Sequence, residues 1–323
     1  MKSEFEFITN LKNKYSLNKI GDDCAVLPKD SKTDLVITTD LLVEDIDFRL
    51  LWTKPDFLGH KSLAVSLSDV AAMGGKPVWS MVSIGVPEAI WKTDFVEKFY
   101  EGYIRLARKF NVELIGGDVS KTPDKIVIDS IVAGEVKKGK AILRSGAKVG
   151  DLIFVSGELG GASGGLKLLM DNILNNEFIN IWLENLISRQ LQPLPKSSIG
   201  RRLGFTQIPS AMIDLSDGLS SDLNHLCRAS QVGAKIYAEK IPIDSNLVGI
   251  SNSFESRINY ALNGGEDFEL LFTVSPNIFF SRESFFIKRG FLCIGEVTAN
   301  AEIIELITNG ESRILESKGF RHF

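Results

Sequence analysis

The sequence predicts two domains of the α/β (α+β) class in one chain. Its 323 residues exceed what one typical hydrophobic core organises, which indicates two domains. Segments typical of strands alternate with segments typical of helices in both halves, and this mixture favours sheets packed against helices. A basic, glycine-containing segment at 137–151 separates the halves, so we predict domains over 1–140 and 141–323.

The N-terminal half contains the residues typical of several strands and two helices. Pro55 near the start and Gly74-Gly75 at the end delimit a helix over 54–75, and a second helix is predicted over 92–110. The segment 112–120 is expected to be a short strand that breaks at its Gly-Gly-Asp turn. Segments rich in Val and Ile predict further strands at 32–43, 77–87 and 125–136.

The C-terminal half repeats one local pattern twice. "DLIFVSGELGGASGGLKLLMDN", which begins at Asp151, has the order strand, glycine loop, helix. "SAMIDLSDGLSSDLNHLCRA", which begins at Ser210, has the order strand, turn, helix. Further strands are predicted at 266–275 and 291–298.

Composition and charge exclude several classes of protein. Hydrophobic residues make up 44% and charged residues 24%, as in ordinary globular proteins, and the net charge of −4 argues against a broad nucleic-acid surface. The cysteines at 24, 227 and 293 have neither zinc-site nor disulfide-framework spacing. The first residues lack the apolar core of a signal peptide, and no apolar stretch is long enough to span a membrane. We therefore expect a cytoplasmic protein with no membrane or nucleic-acid partner.

Aspartates recur where short apolar segments end, often beside Gly, Ser or Thr. "AMIDLSDGLSSDLNHL" (211–226) alone places three of them within nine positions. Carboxylate, hydroxyl and carbonyl oxygens are the ligands that Mg²⁺ prefers, and protein-bound Mg²⁺ commonly shares its shell with substrate phosphates. Each aspartate taken singly is more typical of a turn residue or a helix N-cap than of a metal ligand. The whole set indicates a multi-metal phosphate site that draws on Asp22, Asp23, Asp40, Asp69, Asp118, Asp214 and Asp217.

Two glycine motifs are alternatives for phosphate binding. "GEVKKGKA" (134–141) nearly matches a P-loop, but Ala141 replaces the Ser or Thr that would bind Mg²⁺, and Ser-Gly follows where a helix is required. "SGELGGASGGL" (156–166) follows a predicted strand and opens a predicted helix, whose first amides are able to hold a phosphate. A tight turn with close helix packing explains this second motif equally well.

The ordered motifs together resemble a known family. They are "GDDCAVL", "TTDLLVED", "SLSDVAAMGG", "LIGGD", "RSGAKVGD", "DLSDGLSSDL", "NGGEDFELLF" and "KGF". In this order, from about residue 20 to the end, the chain resembles the thiamine-monophosphate kinase family of the aminoimidazole ribonucleotide synthetase-like superfamily. The resemblance implies a two-domain fold of that superfamily whose N-terminal domain pairs across a homodimer. It also implies ATP as co-substrate, several Mg²⁺ ions, and phosphorylation of thiamine monophosphate to thiamine diphosphate, the last step of thiamine diphosphate biosynthesis.

The resemblance also implies site residues, position by position. Expected Mg²⁺ ligands are Asp23, Thr38, Thr39, Asp40, Asp69, Asp118, Asp214 and Asp217. Expected nucleotide contacts are Gly117, Asp118, Arg144 and Ser216, and expected substrate contacts are Asp47, Glu266 and Phe320. Asp118, Asp214 and Arg144 are the expected catalytic residues, and Asp222 is left out as an ordinary acid early in its helix.

The chain departs from the family pattern at three places, and rival functions stay open. Asp47 stands where the family often has a substrate-facing histidine, and "GGDVS" replaces Gly-Gly-Asp-Thr-Thr. The third departure is mild, because Phe320 stands where other aromatic residues also occur in the family. The rivals are a related ATP-using enzyme of the superfamily and a non-catalytic nucleotide-binding homologue. A selenophosphate synthetase would need a reactive cysteine in an N-terminal glycine loop, and the hydrogenase-maturation dehydratase would need a C-terminal cysteine. Cys24 precedes an apolar run and the chain ends in "RHF", so neither fits well.

Overall fold

The computed structural model describes residues 4–171, 180–301 and 303–320. Within them, the helices and strands fall into two groups on either side of residues 138–151. The first group comprises α1 (Glu4–Tyr15), β1 (Ala25–Pro28), β2 (Thr33–Val43), α2 (Pro55–Ala72), β3 (Lys76–Pro87), α3 (Glu88–Trp91), α4 (Phe95–Phe110), β4 (Glu113–Thr122) and β5 (Val127–Lys137).

The second group forms the rest of the described chain. It comprises β6 (Leu152–Val155), α5 (Gly161–Met170), α6 (Ile181–Leu191), α7 (Ser197–Thr206), β7 (Ala211–Asp214), α8 (Leu219–Ser230), β8 (Gly233–Tyr237), α9 (Phe254–Asn263), β9 (Leu270–Val274), α10 (Pro276–Ser281), α11 (Glu283–Ile287), β10 (Leu292–Thr298), β11 (Ile304–Thr308) and β12 (Glu311–Ile314). Short 3₁₀ turns lie at Ala238–Lys240 and Ser245–Gly249.

Each group builds one sheet. The N-terminal sheet has the order β1-β2-β5-β3-β4, and the C-terminal sheet has the order β12-β11-β8-β10-β6-β9-β7. Neighbouring strands are antiparallel except β3 with β4 and β8 with β11, which are parallel. The mixed sheets with packed helices confirm the predicted fold class.

The helix α2 lies in the centre of the molecule. It packs against α4, against the N-terminal sheet, and against α7 and β7 of the second group. Its apolar side chains Leu63 and Leu67 are fully buried, and so are its polar side chains Ser62 and Ser66. Gly102 of α4 allows the two helices to touch, since a Cβ there would lie 1.8 Å from a backbone oxygen of α2. A helix that is buried all round has to satisfy its polar side chains internally.

The strand β4 corrects one prediction. The Gly-Gly-Asp segment does not break the strand, which continues through it as the parallel partner of β3. The pairing with β3 is irregular after Leu114, where Ile115 is an extra residue without a partner in the register. Gly117 then adopts a φ of 156°. A Cβ on Gly117 would lie 1.9 Å from the carbonyl oxygen of Val82, so the close approach of the two strands requires glycine there.

The P-loop alternative fails on local structure. Residues 138–151 follow β5 without forming a helix, and a P-loop needs one at that point.

Among the helices in the described ranges, none is long and apolar enough to cross a bilayer.

Candidate active site

Four aspartates from four separate segments meet at the carboxyl end of β7. Carboxylate oxygens of Asp23, Asp69 and Asp214 lie within 4.8 Å of one another. Asp40 of β2 lies close enough to this group that its charge raises the pKa of Asp69. Asp23 and Asp214 are buried. We call Asp23, Asp40, Asp69 and Asp214 the acid cluster.

Hydroxyl groups fix the orientation of these carboxylates. Ser66 and Ser68 of α2 donate to Asp40 at 2.7 Å and to Asp214 at 2.6 Å. Thr38 of β2 donates to Asp69 at 2.5 Å. Two buried serines of α2 therefore help to hold the acid cluster in place, together with Thr38 of the neighbouring strand.

The acid cluster is electrostatically unfavourable without a cation. Burial raises the pKa of Asp214 to about 8, and the charge of Asp23 adds to this rise. Burial raises the pKa of Asp40 to about 6, against the opposing hydrogen bond from Ser66. The pKa of Asp69 is raised well above its usual value by burial and by the carboxylates of Asp40 and Asp214.

Arg144 neutralises only part of this charge. Its Nη2 lies 2.6 Å and its Nε 3.2 Å from Oδ1 of Asp23. Burial raises the pKa of Asp23, and Arg144 counteracts that effect. The other oxygen, Oδ2, is buried and has no hydrogen-bond partner among the described residues. An orphaned buried carboxylate oxygen beside two further carboxylates fits a hard divalent cation.

A cavity of about 440 Å³ opens beside the acid cluster. The loop after β2 supplies one wall and the C-terminal segment another. Among its lining residues are Asp40, Asp45, Asp47, Arg49, Trp52, Lys61, Gln190, Ser216, Asp217, Glu266, Phe268 and Phe320. The cavity lining therefore combines carboxylates with aromatic side chains, an arrangement that suits a ligand with both a ring and a phosphate that a cation binds.

Comparison with known proteins decides the family. The model of the AIR synthase related protein, N-terminal domain, matches residues 21–136. A thiamine-monophosphate kinase of Buchnera aphidicola subsp. Acyrthosiphon pisum is 40% identical over 336 residues, covering 99% of each chain. The chain belongs to the thiamine-monophosphate kinase family.

Two further comparisons agree with membership of the thiamine-monophosphate kinase family. A thiamine-monophosphate kinase of Bacillus subtilis is 38% identical, with 94% of this chain and 93% of the relative covered. A solved structure described as AaThiL complexed with AMPPCP and TMP superposes with a TM-score of 0.87 at 34% identity. That match covers 99% of this chain and 97% of the other.

The residues expected from the thiamine-monophosphate kinase resemblance fall into three groups. The first surrounds the acid cluster: Asp23, Thr38, Asp40, Asp69, Asp214 and Arg144. The second lines the cavity: Asp47, Ser216, Asp217, Glu266 and Phe320. The third, Thr39, Gly117 and Asp118, lies elsewhere on the N-terminal sheet.

The third group differs in its surroundings. Thr39 donates to Asp129 of β5 at 2.5 Å, away from Asp69, because neighbouring residues of a strand point to opposite faces. Asp118 is exposed on β4, the edge strand, opposite Ser83 of β3. Two strands separate β4 from β2, so Asp118 is roughly 14 Å across the sheet from the strand of Asp40. Roles for Thr39, Gly117 and Asp118 stay predictions.

Asp47 and Asp222 each hold a turn beside the cavity. Asp47 accepts the backbone N–H of Val43 at 2.8 Å. Asp222 is buried and accepts the N–H groups of Asp217 at 3.1 Å and of Gly218 at 3.0 Å. Burial and the charge of Asp217 raise the pKa of Asp222. Asp222 therefore fixes the turn that presents Asp217, a role beyond that of an ordinary helical acid.

The glycine loop before α5 does not offer free amides. Asp267 accepts the N–H groups of Gly160 at 2.5 Å and of Ala162 at 3.1 Å. Burial raises the pKa of Asp267 to about 7, against these hydrogen bonds. A carboxylate of the same chain therefore occupies the helix N-terminus, which favours the tight-turn interpretation of this motif over the phosphate seat.

Sequence reasoning missed the groups that surround Glu266. Lys61 of α2 lies 2.7 Å from Oε1 of Glu266, and Gln190 of α6 donates to Oε2. A lysine inside a helix gives no sequence signal of burial, because lysines usually lie at the surface. Phe323, whose aromatic ring is chemically able to stack on a flat ligand as that of Phe320 is, lies outside the described residues.

Proposed function

We propose that this chain transfers the γ-phosphoryl group of ATP to the phosphate of thiamine monophosphate, giving thiamine diphosphate. One observation carries the proposal. The acid cluster leaves a buried oxygen of Asp23 without a hydrogen-bond partner among the described residues, and it opens onto a cavity lined in part by aromatic side chains. Relatives that share nearly the full length of the chain bear the name of this activity.

The residues of the acid cluster are the proposed Mg²⁺ ligands, with Asp217 completing the set from the cavity wall. Two phosphate groups that meet at about 4 Å repel by about 4 kcal/mol per pair of unit charges at an effective dielectric near 20. Bound Mg²⁺ supplies the positive charge that offsets this repulsion. Arg144, which is held by Asp23, adds fixed positive charge on the nucleotide side.

The acceptor in this reaction is already an anion, so the site needs no strong general base. Positioning and electrostatic stabilisation are enough for direct in-line transfer without a phosphoenzyme. Ser68 and Ser66 orient the carboxylates, and Asp222 fixes the turn that carries Ser216 and Asp217. The chain's own groups thus hold the site rigid before either substrate binds.

The decisive assay measures ATP consumption with thiamine monophosphate and, separately, with thiamine as acceptor. We expect ADP and thiamine diphosphate in equal amounts with the monophosphate, and a rate at least about 10²-fold lower with thiamine, which lacks the anionic acceptor. Transfer from chiral γ-phosphate should invert configuration at phosphorus. Binding of ATP without turnover would favour the non-catalytic alternative, and retention of configuration would contradict direct transfer.

We also propose that the N-terminal domain pairs with a second copy. The exposed fractions of Leu41 and Ile115, on β2 and β4, are 61% and 52%, and β4 is an edge strand without a partner on its outer side among the described residues. Pairing would cover these side chains and would place Gly117 and Asp118 at an interface, where they would be able to contribute to a site.

A cytoplasmic location stays a prediction.

Oligomeric state tests the pairing. Sedimentation velocity is expected to give twice the mass of one chain, and Ile115→Lys is expected to yield monomers with lower turnover, because a charge would be buried in the interface. Phe280→Lys, whose phenylalanine is 71% exposed on α10, is the matched control and should remain dimeric. A fully active monomer would contradict the proposal.

A further inference from the structure

We propose that Lys61 and Gln190 are positioning residues that aim the Glu266 carboxylate at the exocyclic amino group of the substrate's pyrimidine ring. Recognition of an amino-bearing ring would then depend on a contact between the two halves of the chain. The inference rests on the proposed function, since it takes thiamine monophosphate as the ligand of the cavity.

The first observation is a buried lysine whose partner is distant in sequence. Lys61 is 2% exposed, and its Nζ lies 2.7 Å from Oε1 and 2.8 Å from Oε2 of Glu266. Gln190 is also buried and donates through Nε2 to Oε2, the oxygen that Lys61 also contacts. The three residues belong to α2, α6 and the loop before β9, so side chains of two separate helices hold the Glu266 carboxylate.

The second observation is the backbone that carries Glu266. Glu266 and Phe268 adopt positive φ angles of 68° and 49°. Left-handed backbone is unfavourable for a residue with a side chain, because the Cβ crowds the neighbouring backbone. Hydrogen bonds from Glu266 N to Ser216 O at 2.8 Å and from Phe268 N to Leu215 O at 2.9 Å hold the loop in this form. The loop is therefore shaped by the turn that carries Ser216.

The third observation is that the Glu266 carboxylate is able to accept one more hydrogen bond. The side chain of Glu266 is 28% exposed, whereas that of Lys61 is 2% exposed, and both residues line the cavity. An ionised carboxylate has about four lone-pair directions, so its contacts with Lys61 and Gln190 leave room for one more donor. Trp52 and Phe320 line the same cavity and contribute aromatic surface to it.

Stability alone does not account for this ion pair. Replacing a buried ion pair by apolar groups is often neutral or stabilising, so burial of Lys61 is poor evidence for a purely structural role. An ionised carboxylate only accepts hydrogen bonds. It therefore binds a ring that carries an N–H donor more tightly than the same ring without that donor. The ammonium of Lys61 balances the charge of Glu266, and the two side chains fix where the remaining lone pairs point.

The test compares binding of thiamine monophosphate with that of its 4-deamino analogue, in which hydrogen replaces the amino group. Isothermal calorimetry without ATP measures Kd for both ligands. We expect the unaltered chain to prefer the amino compound by about 10²-fold, less than fully buried polar sites achieve because Glu266 is partly exposed. Lys61→Met should reduce this preference to below about 10-fold, by weakening only the amino compound.

Gln190→Met and Lys196→Met complete the design. Gln190→Met removes the second hydrogen-bond donor to Glu266 with little change in side-chain volume. It should also reduce the preference for thiamine monophosphate over the deamino analogue, so it provides a second test if Lys61→Met does not fold. Lys196 lies 2.8 Å from buried Glu269 in a comparable ion pair that does not line the cavity, so Lys196→Met should keep the full preference.

The outcomes separate this inference from the proposed function. Equal weakening of both ligands in Lys61→Met and Gln190→Met would mean a structural role only and would overturn the inference. An unaltered chain that binds both ligands equally would overturn it as well. A strong preference in binding, together with no phosphorylation of thiamine monophosphate, would refute the proposed activity and leave the recognition by Glu266 standing.

Discussion

Asp214→Asn is expected to lower turnover by about 10²- to 10³-fold at saturating ATP and thiamine monophosphate, the range seen when one preorganised electrostatic group is removed. Asparagine keeps the shape and is able to accept the hydrogen bond from Ser68, but it carries no charge for a metal ion. Steady-state kinetics across a Mg²⁺ titration should show that added metal restores only part of the rate.

Asp34→Asn is the matched control. Asp34 is a buried aspartate on β2, and it accepts the backbone N–H of Gly139 at 2.7 Å, away from the acid cluster. The same chemical change there should leave turnover within about threefold while costing about 1 kcal/mol of stability through the weaker hydrogen bond. Normal turnover in Asp214→Asn, or equal loss in both variants, would contradict the assignment of Asp214.

The metal-free protein is expected to lose stability as the pH rises from 6 to 8.5. Burial raises the pKa of Asp214 to about 8 and that of Asp40 to about 6, from a usual value of 3.8. The folded chain therefore keeps protons that the unfolded chain has released. The stability these groups contribute is full below their usual pKa and disappears as the pH rises through the raised values.

Magnesium is expected to reverse this loss. One retained proton changes the free energy of unfolding by about 1.4 kcal/mol per pH unit, and a cation bound by the acid cluster takes the place of such protons. Thermal unfolding with EDTA and with excess Mg²⁺ should therefore show a larger rise in Tm at pH 8.5 than at pH 6. A metal-free Tm that increases with pH, or a Mg²⁺ effect independent of pH, would contradict the proposed cluster.

Much of the fold could be predicted because its signals are local. The strand over 32–43 and the helix over 54–75 appear in the structure as β2 (Thr33–Val43) and α2 (Pro55–Ala72). Their hydrophobic periods and their proline and glycine boundaries are contained in the sequence itself. The uninterrupted β4 was missed because its hydrogen bonds come from β3, some 35 residues earlier, and override the glycine signal.

The gathering of the candidate site residues was predictable, and the side chains that support them were less so. Aspartates at the ends of apolar segments indicated metal and phosphate, and five expected residues do gather with Arg144. Ser68, Lys61 and Gln190 were not found, because each acts on a residue more than 70 positions away. Asp222 was misjudged because its burial depends on the packing of α8, which no local spacing reveals.

The central helix α2 also limits the length of what the cavity accepts. Lys61 contacts Glu266, the residue proposed to recognise the ring, and Ser68 contacts Asp214 of the acid cluster, and both belong to one buried helix. Seven residues at a rise of 1.5 Å separate these two positions by about 10 Å along the axis. Because a packed helix cannot stretch, α2 keeps this distance fixed. A ligand that is too short to span it would lose its contact either with Glu266 or with the acid cluster.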